Sequence, residues 1–195
     1  MKSKIYWLGA LAALIAMPVL AQPAGNNAVR IVATVDKIDA QTLVVKTDDG
    51  ATQTFALAPN LTVFANKKAT VKDIKEGDFV ASAAVKGTDG KLHSTELRIF
   101  PEAMRGNGEG QRPMNDAQNQ TMTNATVTGV AMVGQSGSVK VKLPNMESEL
   151  VVDPGVPVIA IVPADKALVK VGSKVQINGN KNPDGSQTAA RLVVQ

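Results

Sequence analysis

The stretch from Ile74 to Phe100 returns near the C-terminus as Val169 to Gln195. Gly77 answers Gly172, Asp89 and Gly90 answer Asp184 and Gly185, and Leu97 answers Leu192, each 95 positions on (172 minus 77). A duplicated chain of 195 residues is expected to build two similar small units with a connector. Each copy reads as a strand, an Asp-Gly turn and a returning strand, because Asp-Gly supplies the positive-φ positions of a tight hairpin.

The rest of the first copy has the same grammar. Val29 to Ile38 is apolar on both parities, as in a strand that coils round a small barrel. Thr42 to Thr47 and Thr52 to Leu57 form a hairpin about Asp48-Asp49-Gly50, Pro59 and Asn60 break the pattern, and Leu61 to Phe64 is a short fourth strand. Thr70-Val71-Lys72-Asp73 has the spacing of a helix N-cap, with Gly77 as the stop, so one helical turn is expected. Phe79 to Lys86 and Leu92 to Phe100 complete six strands. In the last strand Leu97 lies on the inner face, while Glu96 and Arg98 point outward.

The second copy begins at Ala125. Val127, Val130 and Val133 answer Val32, Val35 and Ile38, Pro154 answers Pro59, Val158 answers Val63, and Asp165 takes the capping place of Thr70. Val139, Val141 and Leu143 match Leu43, Val45 and Thr47 at 96 positions. This slip predicts a turn one residue longer at Gly134 to Ser138 and one shorter at Pro144-Asn145, since an uncorrected slip would turn every side chain over.

The expected fold is all-β, with two tandem small six-stranded OB-like β-barrels. The first spans 29–100, the second 125–195, and an irregular Gly/Met/Asn-rich connector 101–124 joins them. Barrels of this size are marginal alone, because a ~60-residue domain buries only ~60% of its unfolded surface. The copies are therefore expected to pack on each other or on the connector, against the alternative of two beads on a string.

Residues 1–21 have the anatomy of a secretory signal. Lys2 and Lys4 precede the apolar run Ile5 to Met17, and Val19-Leu20-Ala21 fits cleavage after Ala21. The run is shorter than the ~18 residues of a spanning helix, so no membrane span is expected after signal removal, and the location is periplasmic or secreted. Without Lys2 and Lys4 the formal net charge falls from +4 to +2, too mild to argue for nucleic acid. Of six aromatic residues, Tyr6 and Trp7 lie in the signal, so stacking platforms for bases are not expected. The chain has no cysteine, which excludes disulfides, lipoprotein anchors and thiolate metal sites.

Three runs carry a family resemblance: Ile38 to Gly50, with the pattern ID-x-x-x-L-x-V-x-T-x-DG; Ile74 to Val80, IKEGDFV; and Thr88 to Leu92, TDGKL. They resemble a bacterial domain-of-unknown-function family of exported proteins with an OB-like barrel. The connector, with Met104-Arg105-Gly106, Gly108-Glu109-Gly110 and Thr121-Met122-Thr123-Asn124, is similar to the linker of its tandem-barrel members. The second copy departs from the pattern, with Val171-Gly172-Ser173 against Glu76-Gly77-Asp78. The resemblance implies no reaction and no ligand.

Candidate ligand-binding residues are Arg105, Glu109 and Arg112. They lie among glycines in a connector long enough to be either functional or a tether. Its Gly-x-Gly-x-Gly run lacks the strand and the Lys-Ser/Thr helix start of a phosphate loop. Met104, Met114, Met122, Met132 and Met146 would suit Cu(I). Their spacings lack a tight Met-x-x-Met pattern, and packing explains methionine more often. No cofactor and no metal site is therefore expected.

Asn180, Asn182, Asp184 and Gly185 imitate half a calcium loop, but Arg191 stands where the closing acid belongs. His93 reads as a barrel-rim side chain without a carboxylate cluster. Without cysteine, a second histidine or a Gly-x-Ser-x-Gly elbow, no catalytic residue is assigned. The expected function is a non-enzymatic binding or adaptor protein for an unknown protein, glycan or small-molecule ligand. The alternatives are a structural accessory of an envelope assembly and a Met-based copper-binding protein.

Overall fold

The computed structural model describes residues 27–115 and 119–195. The expected signal segment, most of the lead-in that follows it and residues 116–118 of the connector lie outside the described residues. The chain is all-β. Its strands are β1 (Ala28–Ile38), β2 (Thr42–Thr47), β3 (Thr52–Ala69), β4 (Phe79–Lys86), β5 (Leu92–Phe100), β6 (Gly110–Asn115), β7 (Gln120–Val133), β8 (Ser136–Leu143), β9 (Met146–Val152), β10 (Val158–Pro163), β11 (Lys174–Lys181) and β12 (Gln187–Val194).

Single 3-10 turns stand at Val71–Asp73 and, 95 positions on, at Lys166–Leu168. Each is capped by a carboxylate, as the sequence predicts. Asp73 Oδ2 accepts from the Thr70 backbone N–H and hydroxyl, both at 2.8 Å, and Asp165 Oδ1 accepts from the Ala167 N–H at 2.7 Å. Gly77 and Gly172 follow at φ +88° and +86°, where a Cβ would be strained.

The strand pairings close two cycles, and neither belongs to one copy. The first runs β1–β2–β3–β12–β11 and back to β1. The second runs β4–β5–β9–β8–β7 and back to β4. The expectation that each copy closes its own six-stranded barrel is corrected here, because the last two strands of each copy complete the cycle begun by the first three strands of the other.

The exchange obeys the duplication. In the first cycle β3 runs parallel to β12 with Val63 opposite Leu192. Beside the second cycle, β10, which follows β9, runs parallel to β5 with Val158 opposite Leu97, the same pair with the copies traded. The chain crosses between barrels along β3 and β10, which pair antiparallel with Asn66 opposite Ile161. These two residues are themselves 95 positions apart, so the local two-fold relating the copies passes through this pair.

Two apolar cores follow. Val35, Leu43, Phe55 and Val63 of the first copy pack with Val175, Ile177 and Leu192 of the second. The reciprocal core unites Val80 and Leu97 with Val127, Val139, Leu150 and Val158. One difference is polar: Ile177 and Ala189 are replaced by Ser82 and Ser94, whose hydroxyls meet at 2.9 Å in the buried interior.

Several local expectations change. β3 continues through Pro59 and Asn60, where its pairing with β12 jumps from Leu57 to Thr62, so Pro59 has no ladder partner to which an N–H would be owed. Val127 is the counterpart of Val35: each pairs with β2 or β8 just before a bulge, and each bonds the Gly77 or Gly172 turn. The first strands thus match at 92 positions, and the β7–β8 hairpin is four residues longer than β1–β2 rather than one. Valines on both parities left that phase ambiguous. The turn at Pro144-Asn145 is one residue shorter, as the slip predicts. The connector is largely ordered, with a 3-10 turn at Glu102–Met104 and β6 paired to a β7 that starts at Gln120.

Candidate functional site

Outward residues of corresponding strands face each other across a cleft of about 320 Å³ between the barrels. In β1, β11 and β12 the inward set (Ala33, Val175, Ile177, Leu192) fills the first core. The alternate set, Arg30, Gln176, Asn178 and Arg191, must point away from it and forms one wall. Arg30, Asn178 and Arg191 stand side by side across the three strands. The opposite wall is built the same way from Ala81, Ala83, Glu96 and Arg98 with Met122 and Asn124 of β7. The connector brings Met104, Gly108, Arg112 and Met114 to one side. Below lies a small apolar cluster of Phe64, Met104, Ile161 and Val193, with Phe100 against it.

The lining holds four guanidiniums and one carboxylate among the described residues. Glu96 is engaged by Arg98 at 2.5 Å, Arg30 donates to the Gln176 amide oxygen at 3.3 Å, and Arg112 donates to the Gly108 carbonyl at 2.7 Å. Arg191 lies over the Phe64 ring with its guanidinium carbon 5.9 Å from the centroid, and its buried Nε–H has no acceptor. Asn124, 7% exposed, donates to the Asn107 carbonyl at 2.8 Å, leaving its own Oδ1 unpaired. An unpaired buried polar atom costs free energy, so the Arg191 Nε–H on one wall and the Asn124 Oδ1 on the other are each left open to a partner in the cleft.

Of the residues expected to bind a ligand, Arg112 lines this cleft and the other two do not. Arg105 is committed to the fold: it donates to both Glu102 carboxylate oxygens at 2.7 and 2.8 Å and to the Gly77 carbonyl at 2.8 Å. Glu102 lies below its ordinary range for that reason, and Arg105 is raised. Glu109 is exposed and lies outside the lining. Arg30, Arg98 and Arg191 were not singled out by the sequence, where outward residues of half-buried strands look like ordinary solvated surface. Family models, curated proteins and solved structures yield no match to this chain.

Met104, Met114 and Met122 also border the cleft, which brings together three of the thioethers considered for copper. The charge opposes that use. At about 6 Å and an effective dielectric near 20, each uncompensated guanidinium repels a cation by roughly 3 kcal/mol. Met132 and Met146 are half exposed and lie outside the lining.

A second polar cluster surrounds His93, and here the expectation of no nearby carboxylates is corrected. Nδ1 lies 2.7 Å from Asp153 Oδ2, Nε2 lies 3.2 Å from both Asp89 oxygens, and the Ser136 hydroxyl donates to Asp153 Oδ1 at 3.0 Å. Asp153 precedes Pro154 in the second copy, and only folding brings it to β5. The Asp153 hydrogen bond first, then that of Asp89, raises His93 above its ordinary 6.5, and both acids are lowered. Ser136 bonds the aspartate and not the imidazole, so this serine is not placed as the nucleophile of a Ser-His-Asp triad. A wider, more open depression of about 740 Å³ runs along Lys67, Lys68, Lys72 and the Pro154 turn, but its lysines are exposed.

Proposed function

We propose that this chain is an exported, non-enzymatic binding protein whose small ligand sits in the cleft between two OB-like barrels, each completed by the other copy. The order β1–β2–β3–β12–β11, with β3 and β12 parallel, supports the OB-like reading, and the lysine-then-apolar pattern of residues 1–21 supports export. The resemblance to the exported tandem-barrel family is consistent with both. The observation that carries the binding reading is that a concave site at the junction of two units is walled by polar side chains already held in position.

The test is a thermal-shift assay with small molecules below about 1 kDa from periplasmic extract, run on the wild type and on Ala83→Trp, which fills the cleft. The expected result is a rise in Tm for the wild type that the variant lacks. Equal shifts in both would contradict the reading. A second reading, an accessory that docks on another protein by strand addition, draws on β6, whose outer edge is unpaired among the described residues. A stable protein partner recovered with no small-molecule shift would favour it.

A further inference from the structure

Building on the reading of the inter-barrel cleft as a ligand site, we infer that its ligand is an organic anion, with an oxyanion head held by guanidiniums and an apolar body on the cleft floor. Charge carries the first half. Four arginines converge and the one carboxylate is already engaged by Arg98. Guanidinium groups are suited to carboxylate, sulfonate and phosphate oxygens because their planar donors match them in pairs. Arg30 and Arg191 flank Asn178 in one cross-strand row. With strands about 4.8 Å apart, their backbones stand roughly 10 Å apart, a span that two long side chains can close around one head group.

Arg191 marks the head-group position. It is held over Phe64 and its buried Nε–H lacks an acceptor, which leaves a guanidinium donor open to an oxyanion in the cleft. The floor carries the second half. Phe100 lines the floor with the buried Met104, Ile161 and Val193 packed against it, and Met114 and Met122 add thioethers that adapt to an irregular apolar shape. A bare inorganic ion would leave that surface wet, and a neutral apolar molecule would leave the guanidiniums uncompensated.

The test uses the full mature chain with the fluorescent anion 8-anilinonaphthalene-1-sulfonate as probe, displaced by decanoate, decanol or inorganic phosphate. Decanoate is expected to displace the dye at concentrations at least tenfold below those needed for decanol or phosphate. Arg191→Gln is expected to weaken dye and decanoate binding at least tenfold. Arg30→Gln, at an exposed position that leaves the fold unburdened, should weaken both about fivefold without changing Tm. Ala83→Trp should abolish the signal.

Decanol as effective as decanoate, with the signal still lost in Ala83→Trp, would overturn the anion assignment and leave the cleft as the binding site. Dye binding unchanged in Ala83→Trp would place the dye elsewhere and overturn the inference. Affinities within twofold of wild type in both arginine variants would do the same.

Discussion

Ser82 and Ser94 stand where the other barrel has Ile177 and Ala189, and their mutual hydrogen bond is what makes two hydroxyls tolerable in a β-barrel core. Removing Ser82 leaves Ser94 buried without that partner, whereas Ser82 also reaches the Ala83 carbonyl at 3.4 Å. Ser82→Ala is therefore expected to lower unfolding stability by ~1–3 kcal/mol, whereas the Ser82→Ala/Ser94→Ala pair should lose less than the single change. Denaturant unfolding of the three variants reads this directly, and additive losses would contradict it.

His93 gives a pH signature at the same scale. Its folded value is raised by Asp153 and Asp89, so its contribution is fully present below its ordinary 6.5 and is lost as pH rises through the folded value. The two lowered acids act in the other direction, losing their contribution as pH falls through their folded values, below the ordinary 3.8. Tm is expected to decline as pH rises above about 6.5, and His93→Gln should flatten that decline.

At the scale of elements, the β11–β12 hairpin and the connector are the informative cases. Gly179 sits at a bulge where a Cβ would come within 1.9 Å of the Thr188 carbonyl oxygen, a backbone atom that cannot swing aside. Gly179→Ala is expected to destabilise the fold by at least ~2 kcal/mol, seen as a lower denaturation midpoint. Arg105 ties the Glu102 turn to Gly77. Arg105→Met should accelerate proteolysis within residues 105–112 while changing Tm little, which limited digestion and a melt together will show.

The hairpins, the 3-10 turns and their caps were legible in the sequence because Asp-Gly pairs, Thr70, Asp73 and Asp165 act through bonds to residues two to four positions away. The order within the connector was not legible. Gly110–Asn115 has no alternation to reveal a strand, and its pairing is dictated by Met122 and Thr123 across a hairpin. The β1 phase was missed for a related reason: with valine on both parities, only the bonds from Val35 and Val127 to the Gly172 and Gly77 turns fix it.

At the scale of the molecule, duplication was visible in the sequence and strand exchange was not. Leu97 packs as a buried strand residue whether its neighbours come from its own copy or the other, so the hydrophobic pattern is identical in both arrangements. The cleft inherits that blindness: Arg30 and Arg191 share one cross-strand row only because β1 and β12 of different copies flank β11. Of the three residues expected at the site, Arg112 alone reached it.

The exchanged topology is what creates both cores and the cleft, and it has a direct test. Residues 27–107, holding β1 to β5, can be expressed alone and examined by size-exclusion chromatography with light scattering and circular dichroism. The exchanged fold predicts a fragment that is unfolded when dilute and gains structure only by dimerising or by adding residues 108–195. A monomeric fragment with cooperative thermal unfolding would contradict it.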